Sequence, residues 1–263
     1  MAEETQVSIP RPRIRGRGFR VQQIDYSASY RRGFHSHEVS SITLVLDGVL
    51  GESACGREET ASTLSVVVKP AGTSHANHVG PRGARTIQVE LDDESAWLPP
   101  GVDLGSWRWL HAGPGVRPLL GLQHVLQRRA GGLDPEEALL ELLGEVLDTA
   151  GPTRHPAPPF VQRARQALDD LATEGIRVQE LADELNVHPV SLTRAFRRAF
   201  GLSVSAYRRR TRLQRAAARV VATDRELGSI ALATGFADQA HMCREVRNAT
   251  GLSPSRLREV ARG

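Results

Sequence analysis

The first part of the chain alternates apolar and polar residues in short runs. Such runs, rich in β-branched residues and separated by glycine, proline and charged turns, are typical of strands. Four of them stand at residues 19–26, 40–46, 62–69 and 85–91. They predict an all-β unit over residues 19–112.

From about residue 117 the apolar residues recur every three or four positions, as on one face of a helix. A Gly-Gly pair at 131–132 ends this helix, and Asp134 followed by Pro135 begins a second one, since Asp caps helices and Pro suits the first helical position. This segment, residues 113–150, either supplies a dimer face or packs on the chain's own β unit. The apolar positions are Leu119, Leu122, Val125 and Leu126, then Leu139, Leu142, Leu143, Val146 and Leu147.

Two segments have a composition that fits neither helix nor sheet. Residues 151–159 hold four prolines in nine positions and predict a semi-rigid linker between domains. Residues 1–18 form a basic arm, which we interpret as a mobile tail. The alternatives are that this arm contacts DNA or closes over a pocket.

The last hundred residues contain an internal repeat. The first copy, residues 181–203, aligns with the second copy, residues 230–254, and both contain Gly-Leu-Ser near their ends. Small residues at Ala182 and Ala231 let one helix cross another closely, and a glycine suits the left-handed end of a helix. Each copy therefore predicts helix, tight turn, helix. A single long helix that starts at Ser203 or Ser205 separates them.

Spacing within the first copy divides its second helix into two faces. Leu192, Phe196 and Phe200 lie four residues apart and face inward. The arginines between them then face outward, toward solvent or a polyanion. These arginines could simply form the solvated face of a helix, but the repeat and its glycine caps favour a nucleic-acid interface.

Net charge separates the two parts of the chain. Residues 1–159 hold 16 Arg and Lys against 19 Asp and Glu, a net charge of −3, whereas residues 160–263 hold 18 against 11, a net charge of +7. A polyanion is therefore expected to meet the C-terminal part. All 34 basic residues are Arg except Lys69. With no apolar run long enough to span a membrane, and only two cysteines, we expect a cytoplasmic protein with reduced thiols.

These motifs resemble the AraC/XylS-type bacterial transcriptional regulators. They are Leu-Ala, Leu-x-Arg-x-Phe, Gly-x-Ser, Ile-Ala-x-x-x-Gly-Phe-x-Asp and Gly-x-Ser-Pro. The resemblance implies that the second helix of each copy enters the major groove, about one helical turn apart. It also implies a multidomain fold: an N-terminal all-β cupin-like barrel with appended helices, and a C-terminal all-α tandem helix-turn-helix (homeodomain-like) domain over residues 160–263.

The resemblance assigns candidate DNA contacts by position. An arginine can bind guanine with two hydrogen bonds, Gln suits adenine, and a small apolar side chain can touch a thymine methyl group. The resemblance implies aromatic residues where this chain has Met242 and Val246, and Ser where it has His188. Because the side chains at 242 and 246 are smaller, we expect the second copy to be looser and the weaker half. The base-reading candidates are Val190, Thr193, Arg194, Gln239, Ala240, Cys243 and Arg244. The phosphate candidates are Arg197, Arg198, Arg208, Arg209 and Arg247.

Histidines cluster in the β unit. His35-x-His37 precedes a strand that Gly48 ends, and Pro70-x-Gly-x-x-His75 follows another, which resembles the two half-motifs of a cupin barrel. In that pattern such imidazoles bind a divalent metal together with a glutamate, but Ser40 and Ser41 stand where the glutamate is expected. Two interpretations remain open: a metal-free effector pocket that requires no cofactor, and a three-histidine metal site. The candidates are His35, His37, His75 and His78.

A cupin-like barrel joined to a DNA-binding domain implies a sensor. The predicted function is a transcription factor, activator or repressor, that responds to a small-molecule effector and is not an enzyme. The implied partners are double-stranded promoter or operator DNA, RNA polymerase, the effector and a second copy in a homodimer, with no membrane. The alternatives are a metal-dependent cupin enzyme tethered to DNA, and a regulator whose N-terminal domain is purely structural or dimerising.

Overall fold

The computed structural model describes residues 7–8, 13–128, 134–149, 157–170 and 177–263. Within them the N-terminal part is a sheet with two appended helices and the C-terminal part is all-α, which confirms the predicted fold class. None of the described helices is long and apolar enough to cross a membrane. The strands are β1 Val7–Ser8, β2 Arg13–Gly16, β3 Phe19–Tyr26, β4 Arg31–His35, β5 Ser40–Ala54, β6 Arg57–Ser62, β7 Ser65–Lys69, β8 His75–Leu91 and β9 Arg108–His111. The helices are α1 Val116–Arg128, α2 Pro135–Leu147, α3 Pro159–Asp170, α4 Val178–Glu184, α5 Pro189–Phe200, α6 Val204–Ala222, α7 Leu227–Ala233, α8 Gln239–Thr250 and α9 Pro254–Arg262.

Two long strands organise the sheet. β5 and β8, of 15 and 17 residues, pair antiparallel along most of their length. The strand order is β1-β3-β8-β5-β7-β9, with β2 also on β3, β4 on β8 and β6 on β5. Because different strands flank the two halves of β5 and β8, the sheet has two halves that share this central pair.

A bend at Gly48 separates the two halves of β5. Pairing with β8 shifts register on both sides of it, between Val45 and Asp47 and between Gly48 and Leu50. Gly48 has φ +83°, and a Cβ there would lie 2.2 Å from the carbonyl oxygen of Gly83. The expectation that Gly48 ends this strand is wrong, because the strand bends there and continues to Ala54.

The bulges change which residues of β5 face the interior. Val45 in the first half, and Leu50 and Ala54 in the second, belong to one buried cluster together with Trp107 and Trp109. An odd-numbered residue before the bend and even-numbered residues after it thus share one core. Residues from both halves of β5 thus contribute to this cluster, which is the smaller of the two cores of the N-terminal part.

The other face of the sheet holds the larger core. Ile42 and Leu44 of β5 pack there with Leu119 of α1 and Leu142 of α2, all fully buried. Asp134 caps α2 as predicted, accepting a hydrogen bond from the backbone N–H of Glu136. The buried faces of both helices therefore pack on the chain's own sheet, the second of the two roles predicted for 113–150.

This larger core continues into the C-terminal helices. Leu213 of α6, Met242 of α8 and Leu257 of α9 belong to the same cluster as the sheet residues. Gln127 of α1 also donates a hydrogen bond of 2.5 Å to the carbonyl oxygen of Val260 in α9. The second copy of the repeat is thus packed against the N-terminal part.

The first copy has a core of its own. Val161 of α3, Leu181 of α4, Phe196 of α5 and Tyr207 of α6 form a separate buried cluster. The two halves of the C-terminal part therefore differ in what they pack against, a difference that the repeat does not indicate.

Part of the predicted arm is a strand. Arg13–Gly16 pairs with β3, with Ile14 opposite Val21 and Gly16 opposite Phe19. The expectation of a mobile tail over residues 1–18 is therefore wrong for this strand, because its backbone continues the sheet. The Gly-Gly pair at 131–132 and residues 151–156 of the predicted linker lie outside the described residues, and α3 begins at the linker's last proline, Pro159.

Candidate nucleic-acid interface

Both copies of the repeat close their turn with the same hydrogen bond. In the first, the N–H of Val187 donates to the carbonyl oxygen of Ala182 at 3.0 Å, and in the second Phe236 donates to Ala231 at 2.9 Å. Both alanines are fully buried, which allows the close helix crossing expected from their size. Two helix-turn-helix units are therefore present, and α6 joins them.

The repeated Gly-Leu-Ser sequence performs two adjacent tasks. Gly201 and Gly251 end α5 and α8 in the left-handed conformation, with φ of 71° and 73°. Two residues later, Ser203 accepts a hydrogen bond from the N–H of Ala206, and Ser253 accepts one from the N–H of Arg256. The glycine ends the second helix of each unit and the serine caps the next helix, which selects Ser203 over Ser205.

Helix α5 presents the first candidate reading face. Leu192 and Phe196 are fully buried, whereas Val190 is 57% exposed and Arg194 is exposed. Thr193 is also exposed, and its hydroxyl donates to the carbonyl oxygen of Pro189 at 2.9 Å.

His188 replaces the usual serine at the start of α5. Its Nδ1 accepts a hydrogen bond of 3.3 Å from the backbone N–H of Val190, so the imidazole acts as the cap. A residue that the sequence did not single out, Ser191, is also exposed on this face. The signal for it was its helical spacing of three from Arg194.

Helix α8 presents the second face, capped by Asp238 through the N–H of His241 at 2.7 Å. Gln239, Ala240 and Arg244 are exposed, and Cys243 is half-buried. Helix α8 therefore has the same features as α5 in the same order: a capping residue, an exposed first turn and an exposed arginine.

The expectation that Met242 and Val246 loosen the second copy is wrong. Both side chains are fully buried in the larger core, where α1, α6 and α9 surround them. The second copy is therefore closely packed at these two positions, and the expectation that it is the weaker half in DNA binding stays a prediction.

The arginines predicted to contact phosphates fall into two groups. Arg197, Arg198, Arg209 and Arg247 are exposed, whereas Arg208 is half-buried. Other arginines of α6 pack on rings: Arg210 lies 5.0 Å from the Tyr207 ring centre and Arg212 lies 5.7 Å from that of Phe236. The basic face of α6 is therefore partly structural.

Three of the four predicted histidines come together at one end of the folded sheet. The ligand nitrogens of His35, His37 and His75 lie within 4.8 Å of one another. Burial lowers the pKa of all three imidazoles and that of His75 to about 4. His78 lies apart from them, with its Nε2 3.8 Å from a carboxylate oxygen of Glu58.

A buried ion pair that the sequence did not indicate lies beside His75. The Lys69 ammonium is 2.7 Å from the Glu52 carboxylate, which also accepts hydrogen bonds from Asn77 and from the Trp107 indole. Burial alone raises the pKa of Glu52, but Lys69 and these donors outweigh it, so the pKa lies below its ordinary value. The lone lysine of the chain is therefore part of the interior.

A cleft of about 470 Å³ lies between the sheet and the first unit. Among its lining residues, the Ser65 hydroxyl and the Nδ1 of His111 form a hydrogen bond of 2.9 Å, and the side-chain amide of Gln214 in α6 donates to the Ser65 hydroxyl at 2.9 Å. Charged residues of both signs line it, among them Glu59, Arg165, Asp169 and Arg215.

The C-terminal part matches known proteins in sequence. A family model described as a helix-turn-helix domain matches residues 181–259. The arabinose operon regulatory protein of Escherichia coli is 30% identical over 105 residues, which cover 38% of this chain and 36% of that protein. The bifunctional transcriptional activator/DNA repair enzyme AdaA of Bacillus subtilis is 25% identical over 107 residues, covering 41% of this chain and 51% of AdaA. The chain thus spans about a third to a half of these relatives.

Two solved structures extend the comparison. The C-terminal domain of AraT from Geobacillus stearothermophilus aligns with a TM-score of 0.37 and 27% identity, over 40% of this chain and 88% of that one. ToxT from Vibrio cholerae aligns with a TM-score of 0.41 and 10% identity, over 94% of this chain and 100% of that one. Both TM-scores are below 0.5, so the fold assignment rests on the strand pairing and helix packing described above. The sequence match over residues 181–259 agrees with the two helix-turn-helix units described above: the C-terminal part of this chain is a tandem helix-turn-helix domain, similar in sequence to part of the arabinose operon regulatory protein.

Proposed function

We propose that this protein is a sequence-specific DNA-binding regulator of transcription and not an enzyme. The observation that carries the proposal is the pair of helices α5 and α8, each with a fully buried inner face, a capped start and an exposed outer face. Two such helices, in units that α6 joins, are suited to reading two adjacent segments of the major groove.

The length of α6 agrees with that geometry. Its 19 residues span about 28 Å at about 1.5 Å per residue, close to the roughly 34 Å of one DNA turn. We assign base reading to the exposed Arg194 and Arg244 for guanine and to Gln239 for adenine. The exposed arginines Arg197 and Arg247 serve the phosphates, where they add affinity without sequence information.

The N-terminal part serves, in this proposal, as a sensor of a small molecule. The cleft between the sheet and the first unit supports it, because a ligand there contacts β6 and β9 on one wall and α3 and α6 on the other. The mixed charges of Arg165, Asp169 and Arg215 suit a polar molecule with both donor and acceptor groups. A homodimer and contact with RNA polymerase belong to the same proposal, as do the domain boundaries at 112, 150 and 159.

A selection from a pool of random duplexes tests the DNA-binding proposal with the full chain. We expect one motif to be enriched and its affinity to fall steeply as salt rises, because bound phosphates release counterions. Replacing both Arg194 and Arg244 by alanine is expected to abolish the enrichment. The matched control is Arg82→Ala, which removes an exposed arginine from the sheet. If the pool yields no motif, or if the control loses it equally, the proposal fails.

A ligand screen by thermal shift, also with the full chain, tests the sensor role. A compound that raises the melting temperature of the wild type but not of Arg215→Ala would place the effector in the cleft. If the N-terminal part is instead purely structural, no compound should change either the melting temperature or the affinity for DNA.

A further inference from the structure

Different side chains cap the two reading helices. His188 precedes α5 and Asp238 precedes α8, and each accepts a hydrogen bond from a backbone N–H in the first turn of its own helix. Both residues are exposed. A neutral imidazole keeps one N–H that can donate, whereas a carboxylate only accepts. The starts of the two helices therefore present opposite hydrogen-bonding groups to a partner.

The cap fixes the position of the proton on the His188 ring. A backbone N–H can only donate, so the Nδ1 that accepts the bond of 3.3 Å from Val190 carries no proton. In the neutral ring the proton is then on Nε2. Within the part of the chain that the structure describes, this Nε2 has no hydrogen-bond partner. Capping thus leaves an unused N–H donor on an exposed side chain.

Other donors near the start of α5 are already used. Pro189, at the first helical position, has no N–H, and the N–H of Val190 binds His188. The Thr193 hydroxyl donates to the carbonyl oxygen of Pro189 at 2.9 Å. Among the described residues, the side-chain donors that remain in the first turn are the Ser191 hydroxyl and the Nε2–H of His188.

We propose that the Nε2–H of His188 donates a hydrogen bond to a phosphate oxygen of bound DNA. This contact rests on the proposed DNA binding and adds a residue to it. The first residues of a reading helix contact base edges in the major groove, so the residue just before them lies close to the sugar-phosphate backbone at the edge of the groove. Val190 and Arg194, both exposed, follow His188 by two and six positions.

The contact belongs to the first unit alone. At the start of α8 the exposed Asp238 carboxylate carries negative charge and repels a phosphate at the corresponding position. Phosphate contacts fix the orientation of a protein on DNA without reading its sequence. His188 therefore positions α5 over its bases, and Asp238 provides no equivalent donor in the second unit.

Exchanging one capping residue for another separates this contact from helix stability. His188→Ser keeps a side chain that caps helices well but removes the Nε2–H. At about pH 8.5, where imidazole is neutral, we expect His188→Ser to bind the selected duplex about 10–100-fold more weakly than the wild type, the usual value of a hydrogen bond to a charged group. Its thermal unfolding midpoint should be no lower than that of the wild type.

Two further readouts identify the acceptor as a phosphate. The weakening should be equal on duplexes that differ by one base pair in the selected motif, because a phosphate carries no sequence information. The slope of affinity against salt should stay unchanged, because a neutral donor releases no counterion. Asp238→Ser is the matched control: it exchanges the cap of α8 in the same way but removes no donor, so its affinity should equal or exceed that of the wild type.

Three results would overturn the contact: unchanged affinity in His188→Ser, a loss that changes the preference at one base position, or an equal loss in Asp238→Ser. A wild type that selects no duplex would overturn the proposed DNA binding itself, whereas a wild type that binds tightly beside an unchanged His188→Ser would overturn this contact alone.

Discussion

The separate core of the first helix-turn-helix unit leads to a prediction about unfolding. Phe196 is fully buried at the centre of this core, 4.7 Å from the Phe200 ring and 5.3 Å from the Tyr207 ring, the latter edge-on. Removing the ring leaves a cavity that α3, α4 and α6 surround. Phe196→Ala should therefore destabilise this unit strongly.

The expected cost is about 3–5 kcal/mol, the usual range for a buried Phe replaced by Ala. Loss of two aromatic contacts, each worth about 0.5–1.5 kcal/mol, places it in the upper part of that range. Since the Phe196 cluster shares no buried residue with the larger core, the sheet should keep its stability.

Urea unfolding followed by two signals measures this effect. The three tryptophans, Trp97, Trp107 and Trp109, all lie in the N-terminal part, so their fluorescence reports on the sheet, whereas far-ultraviolet circular dichroism reports mainly on the helices. Phe196→Ala should lower the dichroism midpoint and leave the fluorescence midpoint unchanged. Met242→Ala, in the core shared with the sheet, should lower both.

Val190→Ala is the control for the first unit, because this side chain is 57% exposed on the same helix and should change stability by less than about 0.5 kcal/mol. The reasoning is refuted if Phe196→Ala costs less than about 1 kcal/mol, or if it shifts the fluorescence midpoint as much as the dichroism midpoint.

Three further substitutions test other parts of the account. Lys69→Met should lower the free energy of unfolding in urea by about 3–5 kcal/mol, because it leaves the Glu52 carboxylate buried without its partner. The double variant Lys69→Met/Glu52→Gln should recover part of this loss. Equal stability of the single and the double variant would contradict the role of the ion pair. His188→Ser should keep or raise the stability of α5 by up to about 1 kcal/mol, since serine is a better cap than an imidazole at 3.3 Å, and a marked loss would show that His188 has another role. Arg194→Ala should cost about 1–3 kcal/mol of DNA affinity and relax preference at one base position, whereas uniform weakening on all sequences would mark Arg194 as a phosphate contact.

Local signals made much of the fold predictable. The caps at Asp134 and Asp238 and the two Gly-Leu-Ser sequences act within a few residues of themselves, so the sequence displays them directly. The strands at 19–26 and 85–91 and the helix that begins at Pro135 follow from period and capping in the same way.

Long-range packing was not predictable. Gly48 resembles the end of a strand, but it pairs with Ala84 of β8, and the nearby carbonyl oxygen of Gly83 leaves no room for a side chain, so the strand bends there and continues. Met242 and Val246 resemble a weakened core until α1 and α9 are placed beside them. The pairing of Lys69 with Glu52 joins positions 17 residues apart on different strands, and no period connects them.

The candidate sites likewise combine features that the local sequence predicts with features that depend on long-range packing. Exposure of the predicted base-reading residues follows from helical spacing, and it holds for six of the seven, Cys243 being half-buried. The sequence motifs had already grouped His35, His37 and His75 as candidates, but the exclusion of His78 from the cluster and the distances within it required the fold. The cleft beneath α6 has no sequence signal, because it forms between elements about a hundred residues apart.

Hydroxyl-radical footprinting of the full chain on its selected duplex tests the central claim most directly. Two units joined by α6 predict two protected segments on one face of the DNA, with centres about 10–10.5 base pairs apart. Arg194→Ala should weaken protection in one segment and Arg244→Ala in the other. A single protected segment that both substitutions affect alike would contradict the account.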